Sequence, residues 1–161
     1  MMNPALLTGL SFGSISGIIT ALGLMVGLQA GTNSKLVVIG GILTIAIADA
    51  FSDALGIHFA EEAECKHTTR EIWEATIFTF LAKFVFASSF LVPLLIFDLW
   101  LAVVVSIIYG LTLLGLFRFI MARQQKVPPL TVISEHLLVA LVVVLLTHYA
   151  GNWIHRSFGG G

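Results

Sequence analysis

The sequence predicts an all-α polytopic membrane protein with five transmembrane helices. Of its 161 residues, 58% are hydrophobic and only 11% are charged, whereas a soluble domain has about 25% charged residues. The mean hydropathy is +1.01. Apolar runs of about 20 residues, the length that crosses about 30 Å of hydrocarbon, recur along the chain. Short polar connections separate these runs, as in a polytopic membrane protein.

The predicted spans fill most of a single transmembrane domain that covers residues 1–161. The first span has no basic N-terminal region and no cleavage site, so we interpret it as a retained helix rather than a signal peptide. Pro93 is expected to kink the third span near its far end. Each predicted span is close to the length that a bilayer requires. The five spans cover residues of about 5–27, 36–60, 75–97, 99–119 and 130–153.

The polar segment 61–74, EEAECKHTTREIWE, is short and acidic. We expect it to lie in the cytoplasm, because basic residues concentrate on its side of the membrane. Two interpretations remain open for it: a solvated helical extension, or a mouth that collects cations. The basic residues on its side are Lys66, Arg70, Arg118, Arg123 and Lys126, against Lys35 and Arg156 on the other.

This distribution places the N-terminus in the cytoplasm and the C-terminus outside or in a lumen. A prokaryotic plasma membrane is the simpler expectation for so compact a chain than a vacuolar membrane. An odd number of spans without an internal repeat indicates that any two-fold symmetry comes from a homodimer. The net charge of −1 gives no basis for binding nucleic acid.

The first span carries a small residue at every fourth position. Gly9, Gly13, Gly17 and Ala21 form this ridge, which allows another helix to approach closely in lipid. Ser16 lies beside the ridge and offers a hydroxyl to a neighbouring helix. Gly13, Gly17 and Ser16, with Ser52 on the second span, are therefore candidates for helix packing or for lining a pathway.

Two aspartates lie well inside the second span. Asp49 and Asp53 are four residues apart, so they share one helix face, and Glu61 and Glu64 continue that face. A carboxylate at the bilayer centre costs roughly 2.5–3.5 kcal/mol on insertion scales, which indicates a function for the pair. Carboxylate oxygens suit Mn²⁺, Fe²⁺, Mg²⁺ and Ca²⁺. The sequence therefore predicts a metal site from these four residues. The alternative is that the aspartates bond to hydroxyls or to Lys83.

Lys83 lies within the third span, and two interpretations of it remain open. If it faces the second span, it neutralises an aspartate as an internal cation that a metal or proton displaces. If it lies nearer the cytoplasmic boundary, its ammonium snorkels to the interface.

Four stretches within the spans stand out: SGIITALGLMVG at 16–27, ADAFSDALG at 48–56, SFLVPLL at 89–95 and LTHYAG at 146–151. Together with Glu61 and Glu64, they resemble the vacuolar iron transporter family. The likeness is most specific in the first two spans.

The resemblance implies a five-helix homodimer with a cytoplasmic N-terminus. It implies transport of Fe²⁺ or Mn²⁺ out of the cytoplasm in exchange for protons, along a path at the dimer axis lined by the first two spans. No permanently bound cofactor is implied, since the metal is the substrate. Crowded carboxylates would hold protons when the site is empty and release them when a cation binds.

Three departures from the family bear on the metal site. The family has Asp-Gly where this chain has Ser16-Gly17, and its metal-binding Met falls on Asp53. At the position where the family commonly has a Glu, this chain has Ile57. Where the family has a cytoplasmic metal-binding domain, this chain has only the short acidic segment 61–74. Our hypothesis is that the carboxylate gained at Asp53 compensates for the one missing at Ser16.

Two other classes of function remain as alternatives. One is a non-transporting structural or regulatory membrane protein of the same fold. The other is an intramembrane enzyme, which we disfavour because an aspartyl protease needs two aspartates face to face, and these two stack on one helix. The sequence has no HExxH motif. His58 and His67 near the acidic segment form no recognised zinc pattern.

Overall fold

The computed structural model describes residues 4–125 and 127–159, and the chain there is helical with short connections. Helix makes up 92% of the structure, and no strand occurs among these residues. The helices are α1 (Pro4–Thr32), α2 (Lys35–Glu64), α3 (Thr69–Ser89), α4 (Leu91–Ile96), α5 (Leu99–Gln125) and α6 (Pro129–Phe158).

Among the described residues, five helical segments are long and apolar enough to cross a membrane, which confirms the all-α class and the number of membrane-length segments. The third of these segments consists of α3 and α4 together. The segments are Leu6–Thr32, Lys35–Glu64, Thr69–Ile96, Leu99–Gln124 and Pro129–Phe158.

The third span is not one continuous helix, because it breaks into α3 and α4 at Phe90. In a continuous helix the Pro93 ring would clash with the carbonyl four residues earlier, that of Ser89, and Pro93 has no N–H to donate. The Phe90 N–H bonds to the Ala87 carbonyl at 3.2 Å, which tightens the last turn of α3. The kink expected at Pro93 is therefore a break one turn before it.

The acidic segment 61–74 is divided between two helices. Glu61 to Glu64 form the last turn of α2, which ends at Cys65 in a left-handed conformation (φ 53°). Thr68 then caps α3, accepting the Glu71 N–H while the Glu71 side chain accepts the Thr68 N–H. This capping box satisfies two N–H groups at the helix start. A short turn, from Cys65 to Thr68, therefore joins α2 to α3.

The first helix, α1, lies at the centre of the bundle and packs through two glycine ridges. The first ridge faces α3: a Cβ added at Gly9 would lie 2.5 Å from the Ala75 oxygen, and one at Gly17 would lie 3.0 Å from the Lys83 oxygen. The second ridge, Gly23, Gly27 and Gly31, faces Val143, Thr147 and Gly151 of α6. Because glycine has no side chain, the backbones approach closely enough to fix how α3 and α6 sit on α1.

Candidate functional site

An ionic cluster lies near the middle of the spans, where α2 and α3 meet α1. The Lys83 ammonium on α3 contacts the Asp49 carboxylate at 2.5 Å and also pairs with the Asp53 carboxylate. The structure therefore places Lys83 against α2. The alternative in which this lysine snorkels to the interface is wrong, because its side chain is only 1% exposed.

The two aspartates meet one lysine because of helix geometry. They lie one turn apart on α2, so their side chains point from the same face. On α3, the close approach at Gly17 brings the backbone of Lys83 against α1 and directs its side chain towards α2. A buried ammonium is costly unless it is paired and hydrogen-bonded. The aspartates supply that pairing.

Ser16 on α1 completes the cluster. Its hydroxyl accepts a hydrogen bond from the Lys83 ammonium at 2.9 Å and donates one to the Asp53 carboxylate at 2.6 Å. Positions 16 and 53, which the compensation hypothesis linked, are thus in direct contact. The ammonium thus donates hydrogen bonds to Asp53 and Ser16 and is also ion-paired with Asp49.

One side of the cluster opens into a groove between α1, α2 and α6. The Asp49 side chain is 32% exposed and lines this groove, whose volume is about 690 Å³. A second cavity of about 400 Å³, lined by Ser16 and His136, adjoins it and shares the side chains of Ile19 and Thr20. The two cavities therefore lie side by side along α1, and each is lined by a residue of the cluster.

Three threonine hydroxyls add polar groups to a groove that is otherwise lined mostly by apolar side chains. Thr20, Thr44 and Thr147 line it, and each hydroxyl donates to a carbonyl of its own helix. A hydroxyl that donates in this way still has oxygen lone pairs that can accept. The groove therefore offers oxygen acceptors next to the Asp49 carboxylate.

The structure brings together only two of the four predicted metal ligands. Glu61 lies two turns beyond Asp53, about 12 Å along the helix axis, and pairs with His67 at 3.2 Å. Glu64 pairs with Lys66 at 3.2 Å. Within the described ranges, no three His, Cys, Asp or Glu side chains are grouped as metal ligands. Glu61 and Glu64 thus have separate partners of their own and lie apart from the aspartates.

His58, which the sequence placed near the same end, contacts α3 instead. Its Nδ1 lies 2.9 Å from the Thr76 hydroxyl oxygen, and its ring packs on Trp73 with centroids 4.7 Å apart. These contacts engage His58 in helix packing, while His67 pairs with Glu61.

Ser52 lies outside the cluster, on an exposed face of α2. This face carries a small residue at every fourth position, as α1 does, and a Cβ added at Gly40 or Gly56 would meet no atom within 4 Å. We call it the α2 stripe: Gly40, Thr44, Ala48, Ser52, Gly56 and Ala60, all exposed. Small residues at every fourth position predicted the ridge of α1, and the same spacing in α2 could have predicted this stripe.

Comparison of the chain with protein-family models, with curated proteins and with solved structures finds no match in any of the three. The resemblance to the vacuolar iron transporter family therefore stays a prediction from the motifs.

Proposed function

We propose that this protein exports a divalent metal cation, Fe²⁺ or Mn²⁺, from the cytoplasm by proton antiport. The observation that carries the proposal is the pair of mid-span carboxylates, Asp49 and Asp53, that converge on one point beside an open groove. Charged groups inside membrane spans are costly and typically mark the path of an ion or proton.

The chemistry of the cluster suits a hard cation. Asp49, Asp53 and Ser16 offer carboxylate and hydroxyl oxygens, which Mn²⁺, Fe²⁺, Mg²⁺ and Ca²⁺ accept as ligands. Two carboxylates against one ammonium leave one net negative charge, which attracts cations from the groove. The contact between Ser16 and Asp53 supports the hypothesis that a carboxylate has moved from α1 to α2 within one site.

The proposal includes a homodimer, with the N-terminus in the cytoplasm and the C-terminus outside or in a lumen. The exposed α2 stripe supports the homodimer, because small residues let two copies of α2 approach closely in lipid. Thr44 and Ala48 belong to both the stripe and the groove lining. A second copy packed there would cover the groove and bring up to four aspartates to the dimer axis.

One observation favours the non-transporting alternative: the Lys83 ammonium lies where a substrate cation would sit. A permanently occupied site would make the cluster a structural ion pair. The intramembrane enzyme has less support, since both aspartates that it would use already bind Lys83.

The test is ion flux in proteoliposomes with Fe²⁺, Mn²⁺, Co²⁺, Zn²⁺ and Ca²⁺, with internal pH recorded in parallel. We expect saturable flux with opposite proton movement, reduced at least tenfold in Asp49→Asn and in Asp53→Asn. Asp98→Asn is the matched control, because Asp98 is exposed in the connection before α5. It should transport like the unchanged protein.

Flux that survives both cluster substitutions would refute the assignment of the site. Absence of flux for every ion, from protein that is folded and dimeric, would favour the non-transporting alternative.

A further inference from the structure

We propose that Lys83 is a tethered occupant of the cation site, which the substrate must displace in order to bind. This inference rests on the proposed function, because it concerns the same carboxylates. It assigns to Lys83 the role of a built-in competitor that sets the affinity for the substrate.

The first argument is the coordination of the ammonium. It contacts three oxygens from two helices: one carboxylate oxygen each from Asp49 and Asp53, and the Ser16 hydroxyl. These are the same oxygens that a small hard cation would use. The ammonium and the substrate therefore require the same ligands and cannot both have them.

The second argument is electrostatic. A divalent cation that entered beside the ammonium would place like charges a few ångströms apart, where the low dielectric strengthens their repulsion. Two carboxylates cannot neutralise three positive charges. The ammonium must therefore withdraw as the substrate enters, and its flexible four-carbon stem permits this.

The third argument concerns the site after the substrate leaves. Two partly buried carboxylates without a counter-charge would be costly, and Lys83 can return to neutralise one of the two charges. The Asp49 side of the cluster faces the groove, so the substrate can approach while Lys83 is in place. The site thus exchanges one cation for another and is never left without a counter-charge.

The experiment measures Mn²⁺ binding to purified protein at one fixed pH and ionic strength, together with thermal unfolding with and without Mn²⁺. We expect Lys83→Met to bind Mn²⁺ at least tenfold more tightly than the unchanged protein. Its unfolding temperature should rise with Mn²⁺, since a ligand that binds only the folded state stabilises it. A purely structural lysine would give neither result.

Two variants serve as controls. Lys66→Met removes an exposed lysine whose side chain is 74% accessible, and it should leave Mn²⁺ binding unchanged. Lys83→Arg keeps a permanent positive charge at the site and should not bind Mn²⁺ more tightly than the unchanged protein.

The outcomes separate this inference from the proposed function. If the unchanged protein binds Mn²⁺ and Lys83→Met binds it equally or more weakly, Lys83 is not a competitor. If Lys83→Met is unfolded both with and without Mn²⁺, the cation does not replace Lys83 as the partner of the carboxylates, and the inference also fails. If neither protein binds Mn²⁺ although both are folded, the proposed function and the inference both fail.

Discussion

At the scale of single residues, the cluster depends on how fully the Lys83 ammonium is satisfied. The ammonium hydrogen-bonds to Asp53 and Ser16 and is ion-paired with Asp49, and Ser16 also bonds to Asp53. Truncating one member of such a network leaves the other members unsatisfied in a low-dielectric setting. Ser16 is the member whose loss tests the network without removing a charge.

We predict that Ser16→Ala lowers the free energy of unfolding by about 1–3 kcal/mol, because it removes two hydrogen bonds to charged groups. Thermal unfolding in detergent would measure this. Ser11→Ala is the matched control on the same helix, since the Ser11 hydroxyl donates only to the Met121 sulfur at 3.7 Å. Equal effects of the two substitutions would show that Ser16 does not stabilise the cluster.

The spacing of Asp49 and Asp53 predicted that they share a face, and this followed from helix geometry alone. The spacing did not predict which residue would contact the two aspartates. Lys83 was equally compatible with an interfacial position, because the sequence does not say which side of α3 turns towards α2. The contact of α3 with α1 at Gly17 decided it.

At the scale of helices, α1 organises the bundle through its two glycine ridges. The ridge of Gly9, Gly13 and Gly17 sets the distance to α3, and the ridge of Gly23, Gly27 and Gly31 sets the distance to α6. The cluster depends on the first ridge, because Lys83 is one of the residues that the ridge contacts.

We predict that Gly13→Ala destabilises the fold by about 1–3 kcal/mol, the usual cost of overpacking. The added Cβ would collide with the backbone oxygen of Thr79, which cannot move aside as a flexible side chain would. Thermal unfolding in detergent is the measurement.

Gly115→Ala on α5 is the control for this substitution, because its Cβ would meet nothing within 4 Å. It should be neutral or stabilise the protein by about 0.5–1 kcal/mol, as alanine favours the helix over glycine. Destabilisation of equal size in both variants would mean that the cost of Gly13→Ala does not come from its contact with the Thr79 backbone.

At the scale of the whole molecule, the exposed helices α2 and α6 flank the buried α1. The α2 stripe gives one of these exposed faces a shape that suits close pairing with another helix. The proposed homodimer would use that face and would bring the two clusters towards a common axis.

We predict that Ser52→Cys forms a disulfide between two copies in the membrane, because the stripe lets α2 helices approach within bonding distance. The background is Cys65→Asn, which removes the single cysteine and suits the left-handed backbone at that position. Oxidation followed by non-reducing electrophoresis would show a dimer band.

Leu145→Cys on the exposed face of α6 is the control, and it should remain monomeric under the same oxidation. The reverse pattern, with crosslinking at position 145 and none at position 52, would place the interface on α6 and refute the pairing through α2.

The pattern of apolar runs was enough to predict the all-α class and five segments of membrane-spanning length. In lipid there is no water to hydrogen-bond with backbone N–H and C=O groups. A long apolar run therefore forms a helix, which pairs these groups within the segment. The sequence also determined that two carboxylates share a face. The fold was needed to show that Lys83 and Ser16 contact the two aspartates and that Glu61 and Glu64 do not. It was also needed to show that the small residues of the α2 stripe are exposed. The reason is that lipid and protein interior are both apolar, so hydropathy does not mark which face of a helix is buried. The rotation of each helix is fixed instead by close packing, which here is set by the glycines of α1.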